Sequence, residues 1–153
     1  MDYQLASGAR LVVSQAPFVD AFALHKALLA SVKGTPLTDE QGRPLELGNL
    51  AKMDINALKD LCIAAATSPE VQRTLDLCAQ RATYNARKVD TDLFDDPKDG
   101  GKAREDYYEI AWKIIEVNAL PFFKTTFSRL KGALPGAPTT SPASPSAPAT
   151  TSA

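Results

Sequence analysis

The chain is poor in the residues that carry most catalytic and metal chemistry, with one histidine, two cysteines and one tryptophan. A zinc site gathers three or four ligands from His, Cys and carboxylates, and a hydrolytic triad needs a histidine beside a nucleophile. His25 has no second histidine to work with. It is expected as a half-buried histidine on a helix face with its hydrogen bonds satisfied. Cys62 and Cys78 form no CxxC pair and read as buried thiols in a reducing compartment. No GxSxG elbow occurs.

Charge of one sign is also missing. The 17 basic and 18 acidic residues leave a net charge of -1 and are scattered along the chain, which argues against a nucleic-acid or anionic-membrane footprint. No apolar run approaches the roughly 20 residues that span a bilayer. Met1 to Gln4 leads into a polar, glycine-containing stretch rather than a signal peptide. The expectation is a soluble protein that works where it is made.

What is present suits one globular domain. A chain of 153 residues with 44% hydrophobic content can bury about two-thirds of its unfolded surface, so it needs neither disulfides nor a metal to fold. A compositional boundary falls after Gly132. Residues 133–153 hold no charge and no aromatic ring, and carry prolines 135, 138, 142, 145 and 148. That segment cannot offset a backbone entropy of roughly 1 to 2 kcal/mol per residue and is expected to be a disordered tail. Its PxxP spacings lack the flanking basic residue that proline-binding grooves select. The expected organisation is a compact helical domain over 1–132 and a tail over 133–153.

The class expected is mainly α with small β-hairpins, an α+β fold. Tyr3-Gln4-Leu5 and Arg10 to Ser14 read as strands joined through Gly8. Pro17 fits a first helical position, and Phe18, Ala21, Phe22, His25, Leu28, Leu29 and Val32 recur at helical spacing up to Gly34. Residues 35–49 read as a long connection with one extended piece, Leu45-Glu46-Leu47. Asp54 should cap a helix burying Ile55, Leu58, Leu61, Cys62 and Ala65, and Ser68-Pro69-Glu70 should open another with Val71, Leu75, Cys78 and Ala82 inward.

Tyr84 to Val89 then reads as a second tight hairpin, with Ala86 where glycine would be natural. Residues 90–101 read as an acidic loop and 102–117 as one helix with a wide apolar stripe. The chain should bend near Asn118, ahead of Pro121, and resume with Phe122, Phe123, Phe127 and Leu130. Five helices or helical turns and two hairpins are expected.

Three constellations have plain structural readings. The aspartates between 90 and 99 miss the ligand spacing of a calcium-binding EF-hand loop, so a solvated acidic loop is expected. Gly100-Gly101-Lys102 lacks the upstream glycine of a phosphate loop. Glu105, Asp106 and Glu109 suit the start of a helix, where carboxylates complement the macrodipole. No metal or cofactor is expected.

The aromatic distribution is less ordinary. Six of the eleven aromatic residues, Tyr107, Tyr108, Trp112, Phe122, Phe123 and Phe127, fall within a short C-terminal stretch. Tyr108, Trp112 and Ile115 widen the stripe beyond what one neighbouring helix covers. Core, and a surface for another helix or a second copy, are the two readings of these residues.

The order of pieces resembles the tail assembly chaperones of tailed bacteriophages. The likeness runs over about residues 2–130. It rests on Ser7-Gly8 followed by Ala16-Pro17-Phe18-Val19-Asp20-Ala21, and on Cys78-Ala79-Gln80-Arg81-Ala82-Thr83-Tyr84-Asn85. It rests above all on Arg104-Glu105-Asp106-Tyr107-Tyr108-Glu109-Ile110 leading to Val117-Asn118-Ala119-Leu120-Pro121-Phe122-Phe123-Lys124. Ala86 and the length of the 35–49 connection depart from the pattern.

The resemblance implies a non-enzymatic protein of the host bacterial cytoplasm that binds the tape measure protein, helps recruit tail tube subunits and is absent from the mature virion. The apolar stripe points to Trp112, Ile115, Phe122, Phe123 and Phe127 for partner or self contacts, with core as the other reading; the resemblance implies a frameshifted longer product, and the composition change points to a junction near Lys131-Gly132. A minor neck or connector component of the virion and a small phage regulatory protein are the alternatives. An enzyme comes last.

Overall fold

The structure, a computed structural model, describes residues 1–34 and 55–124. The expectations for residues 35–49, Asp54, Phe127, Leu130, Lys131-Gly132 and the 133–153 tail lie outside the described residues.

Alternation of apolar and polar side chains builds a small sheet. Strand β1 (Asp2–Gln4) pairs antiparallel with β2 (Arg10–Val13), with Tyr3 opposite Leu11. The turn between them closes with the Leu5 N–H donating to the Ala9 carbonyl at 2.9 Å and relies on Gly8 at φ 87°. Strand β3 (Ala82–Tyr84) folds back on β4 (Arg87–Lys88) through Asn85 and Ala86, at φ 48° and 66°. Two successive left-handed residues make the primed turn that matches strand twist.

The two expected hairpins are halves of one sheet. Strand β2 pairs antiparallel with β3, Leu11 opposite Tyr84 and Val13 opposite Ala82, giving the order β1-β2-β3-β4. Asn85 secures this join. Its backbone N–H donates to the Arg10 carbonyl at 2.8 Å, while its side-chain oxygen accepts from the Arg10 N–H at 2.9 Å. Because side chains repeat every second residue, Leu11, Val13, Ala82 and Tyr84 share one face, and all four are buried.

Six helices have described bounds: α1 (Phe18–Gly34), α2 (Ile55–Ala65), α3 (Pro69–Ala79), α4 (Thr91–Phe94), α5 (Gly100–Glu105) and α6 (Tyr107–Asn118). Residues 120–124 are helical again. The fold is therefore α+β. Helix α6 is the hub and packs against α1, α2, α3 and β2. It contributes Ile110, Trp112, Ile114, Ile115 and Val117 to the core.

Several local expectations are corrected. Residues 90–101 are not one loop: half of them belong to α4 and the start of α5, joined by turns. The Asp90 carboxylate caps α4 by accepting the Leu93 N–H at 3.1 Å, and Asp96 accepts from the N–H groups of Lys98 and Asp99. Aspartate side chains thus close turns that hydrophobic periodicity cannot register. The single helix expected over 102–117 is two, because Asp106, at ψ -1°, interrupts it between α5 and α6.

Ala82, expected on a helix, is a buried strand residue. Ser68 occupies the start of α3 without a side-chain capping bond; its carbonyl accepts the Gln72 N–H at 2.9 Å and its own N–H donates to the Ala65 carbonyl at 3.0 Å. Phe18, Phe22 and Ile55, expected inward, are exposed, while Cys62 and Cys78 are buried and free. Burial pushes each thiol up to about 12, with Asp20 adding to the effect at Cys78.

Candidate functional site

Of the five residues singled out for partner contacts, three are core. Trp112, Ile115 and Phe123 are 5%, 0% and 2% exposed: the first two because α6 is surrounded by helices and strand rather than covered along one side, the last because the segment after α6 turns it in against His25. Phe122 is half-buried, and Phe127 lies outside the described residues.

Phe122 belongs to a cluster that runs from solvent to core. Phe18 and Phe22, one turn apart at the start of α1, stack at 5.6 Å between ring centroids, and each meets Phe122 edge-on, at 5.9 and 5.5 Å. Further in, His25 lies 5.3 Å from Phe122 and 4.7 Å from Phe123. Lys26 places its ammonium 5.0 Å from the Phe22 ring. At the outer end Phe18 is 68% and Val19 74% exposed, while Phe22 keeps more than a third of its surface. A hollow of about 280 Å³ beside these rings is walled by Ala16, Ala21, Val117 and Pro121.

A single side chain sets the geometry of this face. Asn118, buried at the end of α6, accepts the Ala16 N–H at 2.8 Å and donates its amide to the Ile114 carbonyl at 2.9 Å. The segment before α1 is thereby fastened to the end of α6, and Pro17, whose carbonyl accepts the Asp20 and Ala21 N–H groups, starts the helix there. The sequence had a signal for the exposed rings. Ala21, Leu28 and Val32 define a narrow inner line, and the adjacent apolar positions Phe18 and Val19 cannot both lie on it.

His25 is more buried than expected: it is 5% exposed, and its Nδ1 has no hydrogen-bond partner among the described residues. Desolvation holds its pKa below the usual imidazole value.

The polar cluster at Asp106 is equally constrained. Its carboxylate accepts from the Ser7 hydroxyl at 2.5 Å and from the Tyr84 hydroxyl at 2.8 Å. Burial, reinforced by Asp106, pushes the Tyr84 phenol up to about 12, so it stays protonated at neutral pH. The arrangement ties three segments together. Of the helix-start carboxylates, Glu105 is exposed and Glu109 half-buried. Asp95, Asp96 and Asp99 form ion pairs with Arg104, Arg87 and Arg87. Among the described residues no three His, Cys, Asp or Glu side chains stand together as a metal site requires, and no helix is long and apolar enough to cross a membrane.

Comparison with protein-family models, with curated proteins and with solved structures finds no match to this chain.

Proposed function

We propose that this chain is a non-enzymatic tail assembly chaperone that holds apolar helices of a tape measure protein and helps bring tail tube subunits to it. The place of action is the host bacterial cytoplasm, and the chaperone leaves before the virion is complete. The observation that carries this reading is the exposed face of Phe18, Val19 and Phe22 around Phe122. Clustered aromatic and aliphatic surface of this kind is costly to leave in water and suits an amphipathic helix laid across it. A long helical partner offers many such segments, so modest affinity at each site adds up through repeated copies. Self-association through the same face fits the same chemistry. The near-neutral, scattered charge favours polypeptide partners over nucleic acid or membrane.

The test is coexpression of the chain with a tagged tape-measure fragment and measurement of co-purification. Phe18→Ser with Phe22→Ser should cut capture at least tenfold while lowering the melting temperature only modestly, because Phe18 is 68% exposed and Phe22 lies at the edge of the cluster. Ile55→Ser, which removes an apolar side chain 52% exposed outside the cluster, should have no effect. Undiminished capture by the double variant would remove this face from the proposal. Finding the chain by mass spectrometry in purified virions would favour the neck-component alternative instead.

A further inference from the structure

A second concave feature lies where α3, the corner between β4 and α4, and α6 meet, enclosing about 190 Å³. This is below the size of pockets for drug-sized ligands, roughly 300 to 1,000 Å³, and suits a single side chain. Its floor is aliphatic, formed by Leu75, Ala79, Val89, Ile110 and Ile114, all buried. Its rim carries the half-buried rings of Phe94 and Tyr107, which meet edge-on at 5.6 Å. Gln72 also lines the cleft, and its side chain partly offsets the upward push that burial gives the Tyr107 phenol.

The charge of the rim is one-sided. Asp76 and Asp90 line the cleft, and among the described residues no lysine or arginine does. Asp90 is engaged as the cap of α4. Asp76 has no cationic partner among the described residues, unlike Asp95, Asp96 and Asp99 across the same corner. Although Asp76 is exposed as a residue, the protein around its carboxyl is dense enough to push its pKa up. Its negative charge reaches Tyr107, whose phenol is also raised, chiefly by burial.

We propose that this cleft receives an arginine side chain from a partner polypeptide, its methylene stem on the aliphatic floor and its guanidinium against Asp76 and the Phe94–Tyr107 rings. Each part of the cleft matches one part of that side chain. The stem needs apolar contact; the head needs a carboxylate and an aromatic surface. Arginine fits better than lysine because its planar, weakly hydrated head can stack on a ring and bind a carboxylate through two N–H groups at once. Acidic side chains are repelled, and apolar ones would leave Asp76 desolvated without a counter-charge. The socket is built from residues other than the Phe18–Phe22 face and does not depend on the chaperone reading.

Titration of the isotope-labelled full chain with Nα-acetyl-arginine amide, at constant ionic strength, tests this by NMR. Saturable shifts should appear at the backbone amides of Val89, Thr91 and Ala111. Nα-acetyl-norleucine amide should give shifts that do not saturate, and Asp76→Asn should weaken arginine binding about fivefold, the order expected for one partly exposed ion pair. Phe94→Leu, which keeps the wall apolar but removes the ring, should weaken it further. Phe18→Ser with Phe22→Ser should leave it unchanged, which separates this site from the aromatic face. Absence of saturable shifts, equal binding of norleucine, or undiminished binding by Asp76→Asn would each overturn the proposal.

Discussion

The Tyr84 hydroxyl donates to the Asp106 carboxylate at 2.8 Å, inside the core, and so fastens strand β3 to the break between α5 and α6. The same carboxylate oxygen accepts from Ser7, in the turn between β1 and β2. One buried acid therefore sets the position of three segments that are distant in sequence. It also explains why the helix restarts at Tyr107: the Asp106 side chain is committed to the sheet, and its backbone joins the two helices by accepting the Ile110 N–H and donating to the Lys102 carbonyl, both at 2.9 Å.

Removal of either donor should leave a buried carboxylate short of hydrogen bonds. Tyr84→Phe is expected to lower stability by about 1 to 3 kcal/mol, with Ser7→Ala at the lower end of that range. The double variant should lose more than the sum, since the acid then has neither partner. Urea denaturation of the four proteins measures this. Strict additivity would show that the two hydroxyls act independently of the acid.

Acid should weaken the fold through His25. Its folded pKa lies below the unfolded value of about 6.5, so the unfolded chain takes up the proton first. The stabilisation is complete above the unfolded value and is lost as pH falls through about 6.5 toward the folded value. Denaturation midpoints at pH 7.5 and 5 should differ for the native sequence and converge for His25→Leu. Asp96, held at about 2 by the Asp99 N–H, Arg87 and the Lys98 N–H, loses its proton-linked contribution only at lower pH, so the two effects separate. A His25→Leu protein with an unchanged slope between pH 7.5 and 5 would refute the assignment.

Two adjacent glycines should respond oppositely to alanine. A Cβ on Gly100 would lie 2.7 Å from the Phe94 carbonyl oxygen, a backbone atom that cannot turn aside, whereas one on Gly101 meets nothing within 4 Å. Gly100→Ala is expected to cost about 1 to 3 kcal/mol through overpacking. Gly101→Ala should gain up to about 1 kcal/mol from helix propensity. Thermal melts of both variants decide it, and equal shifts would contradict the close approach of α4 and α5.

Local pattern made much of this fold legible. The inner line of α1, the start of α3 at Pro69 and the bend before Pro121 follow from spacing and from proline chemistry. The left-handed turn at Asn85 was also visible, even though Ala86 takes a conformation that usually asks for glycine. Features built by distant residues were not legible. The pairing of β2 with β3 joins positions some seventy residues apart, and the break at Asp106 depends on Ser7 and Tyr84. Trp112, Ile115 and Phe123 are recognisable as apolar, but whether such residues face core or partner depends on how many elements surround α6 and the segment that follows it. Phe18 and Phe22 were misplaced for the complementary reason: α1 is covered less fully at its beginning than its periodicity implies.

The link from Asn118 to Ala16 has a consequence for recognition. With the start of α1 clamped to the end of α6, the rings of Phe18, Phe22 and Phe122 are already gathered before any partner arrives. On the proposed function, docking calls for little rearrangement of the backbone, and the ordering cost of encounter falls mainly on the incoming helix. Differences in affinity among the segments it meets should accordingly show up in how long each one stays rather than in how fast it lands.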